Sequence, residues 1–394
     1  MGMERVGVRM DHRRNRRPQQ WRFGRSMARV LWSPLVGLGL AISPGFPAAA
    51  RTAIAPLPAI SATTPSRPLA QTPPSRSPSI DDLLEQGETL VKRQDWEGAL
   101  VIYQRAAQIE QDNARIFATI GYVQAQQQNF PAAVAAYQRA ITLDNRNAEF
   151  FYALGFALAN NQELVDAGSA YQSAIAINPR HLNAHLGLGT VLFRQENYTG
   201  AVQTYRKVLE LSPNNAIAQE FLGISLLYLD QLSEAAAALE RALQLNPRRA
   251  SIHTNLGIIQ LSQGRQDEAL ATFNRAARLD PRNPQLQLKI AQILDRSGDA
   301  DGALAAYRRV VSLDPTQAEA HRRVGELRQA AGEFLLATIS YRQWVSATPN
   351  DPNAHLALGQ VLARQQRYQE ARRSLERAQT LGSTEATTAL EALP

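Results

Sequence analysis

The sequence predicts an all-α protein, a solenoid of nine helix-turn-helix repeats, and three observations predict it. A 34-residue period runs without insertion from Ile80 to Glu385. Within each period apolar residues recur at helical spacing in two stretches, and glycine or proline falls where those stretches end. One such helix pair cannot bury both its faces, so it must stack on its neighbours. The nine therefore form a single solenoid, rather than the two or three domains that 394 residues alone would suggest.

Counting from Ile80 as position 1, the repeats span 80–113, 114–147, 148–181, 182–215, 216–249, 250–283, 284–317, 318–351 and 352–385. Position 8 is Gly87, Gly121, Gly155, Gly189, Gly223, Gly257, Ala291, Gly325 and Gly359, and position 20 is alanine in every repeat, from Ala99 to Ala371. An aromatic or leucine holds position 24, as in Tyr103, Tyr137, Leu239, Phe273 and Tyr341, and proline recurs at position 32 from Pro179 to Pro349. Positions 1–14 carry the first helix, illustrated by Leu182, Leu188, Val191 and Leu192. Positions 17–30 carry the second, illustrated by Ala201, Tyr205, Val208, Leu209 and Leu211. Small residues at 8 and 20 let the two helices approach where they cross. Gly264, Gly298 and Gly332 at position 15 end the first helix with a left-handed residue. Proline, preceded by a polar residue, ends the second. Ser79 with Asp82 reads as a capping box for the first helix of the array. Residues 386–394 form a short capping helix whose Leu390 and Leu393 cover the last repeat.

The segment before the repeats differs in kind. Residues 1–79 hold 12 arginines, no lysine and two acids, a net of +10 against +7 for the chain, so the remainder stands at −3. A mildly acidic body lacks the basic stripe that nucleic-acid binding requires, and nucleic acid is not an expected partner. Arginines from Arg5 to Arg29 precede the uncharged run Val30–Ala50, which ends in small residues. That order reads as a secretory signal peptide over 1–50, cleaved near Ala50, with Met27 as an alternative start. An uncleaved membrane anchor is the competing reading, although Pro34, Pro44 and Pro47 break the apolar run. Residues 51–79, rich in Pro, Ser, Thr and Ala, form a disordered linker. The expected location is the periplasm, or the extracytoplasmic face of the inner membrane. Contact with the membrane is expected only through the first segment.

The period and the Gly-Ala-aromatic-Pro pattern resemble the tetratricopeptide-repeat family over Ile80–Glu385. The resemblance implies a right-handed superhelix whose concave surface is lined by first-helix positions 2, 5, 6, 9, 12 and 13. Those positions place Tyr122, Tyr152, Phe156, Phe193, Phe221, Ile224, Leu227, Tyr228, Ile258 and Leu261 in the groove, followed by Lys289, Arg296, Arg322 and Arg323 with Asp295 and Glu326 among them. The implied partner is a protein or peptide, an amphipathic helix or extended segment with an acidic portion toward the C-terminal repeats. The alternative is that these side chains pack between adjacent repeats and the charges form a solvated face. Two specialisations of the family are not matched. The chaperone-tail clamp pattern is replaced by Leu84, Glu88, Thr119, Glu149 and Ala153, and position 6 carries one asparagine, Asn255, instead of an asparagine ladder.

Catalytic chemistry finds no foothold. With no cysteine there is no thiolate nucleophile and no cysteine-rich zinc site. His181 and His185 stand four apart without an intervening glutamate or a third ligand, and histidine recurs at position 4 as His253, His321 and His355, so the repeat itself explains His185. Gly187-Leu188-Gly189 lacks the third glycine of a dinucleotide loop. No enzyme activity, cofactor or metal is expected. The expected function is a non-catalytic scaffold or assembly factor. The alternatives are a subunit presenting substrate to an enzyme or secretion complex acting in trans, or a self-associating structural protein.

Overall fold

The computed structural model describes residues 79–394. The expected signal or anchor and the linker up to residue 78 lie outside them. The described residues form nineteen helices and no strand. Repeat one comprises α1 (Ile80–Lys92) and α2 (Trp96–Ile109), repeat two α3 (Ala114–Gln126) and α4 (Phe130–Leu143), and repeat three α5 (Ala148–Asn160) and α6 (Leu164–Ile177). Repeats four to six follow as α7 (Leu182–Arg194) with α8 (Tyr198–Leu211), α9 (Ala216–Tyr228) with α10 (Leu232–Leu245), and α11 (Ala250–Ser262) with α12 (Gln266–Leu279). Repeats seven to nine are α13 (Pro284–Ser297) with α14 (Ala300–Leu313), α15 (Ala318–Ala330) with α16 (Phe334–Ala347), and α17 (Pro352–Arg364) with α18 (Tyr368–Thr380). A last helix, α19 (Thr384–Glu391), closes the series. This is an α-solenoid.

Both turns of the repeat have local causes. Between first and second helix, position 15 adopts positive φ in all nine repeats, on Gly264, Gly298 and Gly332 and on Gln94, Gln128, Gln162, Glu196, Asp230 and Gln366 (φ 58–69°). Between second helix and next repeat, the residue at position 34 caps the first helix. Asn113, Asn147, Asn215, Asn283 and Asp351 each accept a backbone N–H of the new first turn. At the start, Asp82 N–H donates to Ser79 Oγ (3.2 Å) and Ser79 N–H to Asp82 Oδ2 (2.9 Å), a complete capping box.

The core explains the small residues. Every position-20 alanine is fully buried. The gap left by glycine at position 8 is filled by the side chain at position 24 of the same repeat: a Cβ on Gly121 would lie 2.8 Å from Tyr137 Cε1, and one on Gly189 2.8 Å from Tyr205 Cε1. Position 8 thus makes room for a ring as well as for helix approach. Each first helix packs on its own second helix, and each second helix on the next first helix. In repeats two to six the successive first helices, α3, α5, α7, α9 and α11, also pack directly on one another. At the end, Gly382 (φ 98°) stops α18, and Ser383 accepts the Ala386 N–H, so the capping helix starts at Thr384, two residues before residue 386. Its Ala386, Ala389 and Leu390, with Leu393 just beyond it, cover Leu356, Leu375 and Ala378. Among the described residues no helix is long and apolar enough to cross a membrane.

Candidate functional site: the first-helix face

The ten apolar groove residues divide by burial. Tyr152, Phe156, Phe193, Phe221, Ile224 and Leu227 are buried, all at 7% exposure or less, whereas Tyr122, Tyr228, Ile258 and Leu261 are half-buried. The six buried residues lie on α5, α7 and α9, each packed on another first helix at either side, and Ile258, Leu261 and Tyr122 lie on α11 and α3. Phe193 meets Phe221 edge-on at 5.9 Å and Tyr228 at 5.7 Å, and Tyr228 stacks on Tyr198 at 4.4 Å, so one aromatic cluster joins repeats four and five. Tyr152 has its ring against His181 at 5.0 Å and Tyr171 at 6.0 Å. Burial, reinforced by the Glu149 charge, pushes its phenol up to about 12. Ile258 and Leu261 pack on the core of repeats six to eight.

The charged end is largely self-neutralised. Arg323 forks onto Asp295, with Nε 2.8 Å from Oδ2, and also pairs with Glu326, whose other oxygen is 2.7 Å from Arg322 Nη1. Those bonds, Asp295 first, hold the Arg323 guanidinium above its ordinary range. The charges therefore tie α13 to α15, where the more N-terminal repeats use aromatic packing. Lys289 is half-buried and has no ion pair among the described residues. Burial, then the nearby Arg296, pulls its ammonium down. Arg296 is exposed.

Three further features emerge on this face. Glu220, at position 5 of repeat five, is 3% exposed, with Arg249 Nε 2.8 Å from Oε2 and Ser251 Oγ donating to Oε1 at 2.8 Å. Burial raises its carboxyl above the ordinary range against the pull of Arg249. Arg194, at position 13, donates to the Ala159 carbonyl (2.9 Å) and to Gln162 Oε1 (2.6 Å), both in the preceding repeat. Arg364, at the same position of repeat nine, lies over the Phe334 ring at 6.0 Å. It lines a cavity of about 490 Å³ with Glu326, Gln329, Ala330, Gly332, Phe334 and Tyr341. Register alone could have brought all three to attention, since positions 5 and 13 belong to the groove set.

The histidines serve the backbone. Nε2 of His185, His253, His321 and His355 donates to the carbonyls of Pro179, Pro247, Pro315 and Pro349 at 2.9–3.0 Å, tying each first helix to the turn before it. His181 caps α7, its Nδ1 accepting the Ala184 N–H at 3.3 Å, with Nε2 3.3 Å from Glu149. Among the described residues no group of three or more His, Asp or Glu side chains is placed to hold a metal.

Helix hairpins on a fixed step, stacked so that one helix of each presents a common face, define a helical-repeat interaction protein. The family model for the C-terminal domain of cilia and flagella-associated protein 70, a tetratricopeptide-repeat domain, matches residues 154–393, more than half of the chain. The tetratricopeptide-repeat model matches residues 87–128 and 121–162. The chain belongs to the tetratricopeptide-repeat family. Repeats of this family typically build non-catalytic scaffolds that bind peptide or protein partners. Among solved structures, the C-terminal part of a repeat protein from Cytophaga hutchinsonii superposes with a TM-score of 0.54 at 16% identity, covering 61% of this chain and 98% of that one. YrrB, described as a repeat protein with an unusual peptide-binding site, gives 0.42 at 24% identity over 48% of this chain and 96% of its own. MamA from Desulfovibrio magneticus gives 0.42 at 22% identity over 43% and 96%. No protein of curated function matches the sequence.

Proposed function

We propose that the protein is a scaffold or assembly factor that holds a segment of a protein partner along the first-helix face, on the extracytoplasmic side of a bacterial membrane. The observation that carries the reading is a first-helix face that is only partly closed: beside its buried aromatics, Tyr122, Tyr228, Ile258 and Leu261 keep part of their apolar surface open. The face then runs into Lys289 and Arg296, which have no ion pair among the described residues. An amphipathic segment with an acidic portion complements that order. The arginine-rich start, apolar run and Ala48-Ala49-Ala50 support export.

The test is a quantitative pull-down from the envelope fraction, comparing the full chain with an Ile258→Gln, Leu261→Gln variant. The half-buried pair is chosen because a polar group at Phe156 or Phe221 would disrupt packing between repeats. One protein enriched by the parent and lost by the variant, with helicity unchanged, is the expected result. An unchanged enriched set would place recognition elsewhere.

A further inference from the structure

The geometry points to Arg364 and its cavity as a receptor for a glutamate or aspartate side chain of the segment bound in the groove. The inference deepens the groove reading and rests on it for what delivers the carboxylate.

Comparison within the chain carries the argument. Position 13 is arginine in repeats four, seven and nine: Arg194, Arg296 and Arg364. The acceptor on Arg194 comes from position 15 of the preceding repeat, where Gln162 offers Oε1 at 2.6 Å. Before Arg364 that position is Gly332, which has no side chain to offer and instead forms part of the cavity wall. Arg364 therefore has no ion pair or hydrogen bond among the described residues. Its one contact of note is the Phe334 ring, a platform that favours a guanidinium without neutralising it.

The other cavity groups point the same way. Glu326 is occupied by Arg322 and Arg323, so it leaves the Arg364 charge uncompensated. Tyr341 donates its hydroxyl to Gln329 Oε1 at 3.1 Å, which orients that amide and leaves its NH₂ as a donor. A guanidinium and an amide NH₂ beside a ring match a carboxylate carried on a short apolar stem. At about 490 Å³ the cavity has room for such a side chain. Arg322 and Arg323, by contrast, are spent on Asp295 and Glu326 and have little charge to offer an acidic partner.

The probe is N-acetyl-L-glutamate α-methylamide, titrated into the full chain labelled with ¹⁵N on arginine and glutamine side chains. Saturable shifts of the Arg364 Nε–H and Gln329 NH₂ signals are expected, with Arg194 unmoved. The glutamine analogue and N-acetylalanine, which carries only a terminal carboxylate, should bind at least about tenfold more weakly. Arg364→Gln should weaken the Gln329 response by about tenfold or more. Gly332→Gln, which restores the acceptor that Gln162 supplies to Arg194, should weaken binding while keeping the arginine. Equal response to the glutamine analogue or to N-acetylalanine, or full binding by Arg364→Gln, would overturn the assignment. Because the probe needs no partner, its failure leaves the groove reading to its own pull-down.

Discussion

At position 15 every repeat turns on a left-handed residue, yet only three of the nine use glycine there. An L side chain in that region costs about 1–2 kcal/mol, partly offset by the greater freedom glycine loses on folding. Gln128→Gly is therefore expected to raise stability by about 0.5–1 kcal/mol, and Gly298→Ala, whose Cβ would touch nothing within 4 Å, to lower it by about 1 kcal/mol. Urea unfolding measures both, and a loss on Gln128→Gly would mean that its side chain contributes a contact. Glu220 gives a prediction of a different kind. Its folded-state carboxyl is raised, because burial outweighs Arg249 and Ser251, so the folded state holds the proton more tightly than the unfolded one. The associated stability is present below the unfolded value of about 4.5 and is lost as pH rises through the folded value. At pH 7 the charged form is a burden, and Glu220→Gln should raise the urea midpoint there. That advantage should shrink as pH falls toward 4; a gain independent of pH would refute the burial argument.

Helices were legible from the period because the same chemistry recurs nine times at the same positions, so chance similarity at one repeat is overruled by the others. The site was less legible, for a reason visible in single registers. Position 9 is Phe156 and Ile224, both buried, but also Tyr122 and Ile258, both half-buried. Position 13 is a structural clasp as Arg194 and a free cation as Arg364. Exposure depends on what positions 12, 15 and 17 of the preceding repeat supply, and on whether successive first helices touch. A single-repeat template carries neither. The capping helix illustrates the element scale from the other side. Ala386 and Leu390 of α19, with Leu393 just beyond it, do for α17 and α18 what the next first helix does elsewhere. Ending the chain at Gly382 would expose Leu356, Leu375 and Ala378, so amide-exchange protection in α17 and α18 should drop while that in α3–α9 stays. Uniform loss along the array would show that the repeats unfold as one unit.

For the array as a whole, stability is a sum of repeat terms and neighbour interfaces, so the molecule should tolerate a change in repeat number if the register is kept. Deleting residues 250–283 joins Arg249 to Pro284, position 34 to position 1, and a proline at the first helical position suits a helix start. The new interface sets α10 against α13. There Leu286, Ile290 and Ile293 take the register places of Ile252, Leu256 and Ile259, all six of them buried. The shortened chain should keep its helicity per residue, unfold cooperatively and show a urea m-value lower by roughly one ninth. Deleting one residue fewer, 250–282, leaves Asn283 at the head of the following helix. Everything after it is then displaced by about 100° around the helix axis relative to the preceding face. Gln285, Lys289 and Gln292 would then take the buried places of Ile252, Leu256 and Ile259, and that variant should lose helicity from the junction onward. Circular dichroism on the pair separates the two accounts. If both variants behave alike, the apolar faces are interchangeable, and the strict 34-residue step reflects something other than packing between neighbours.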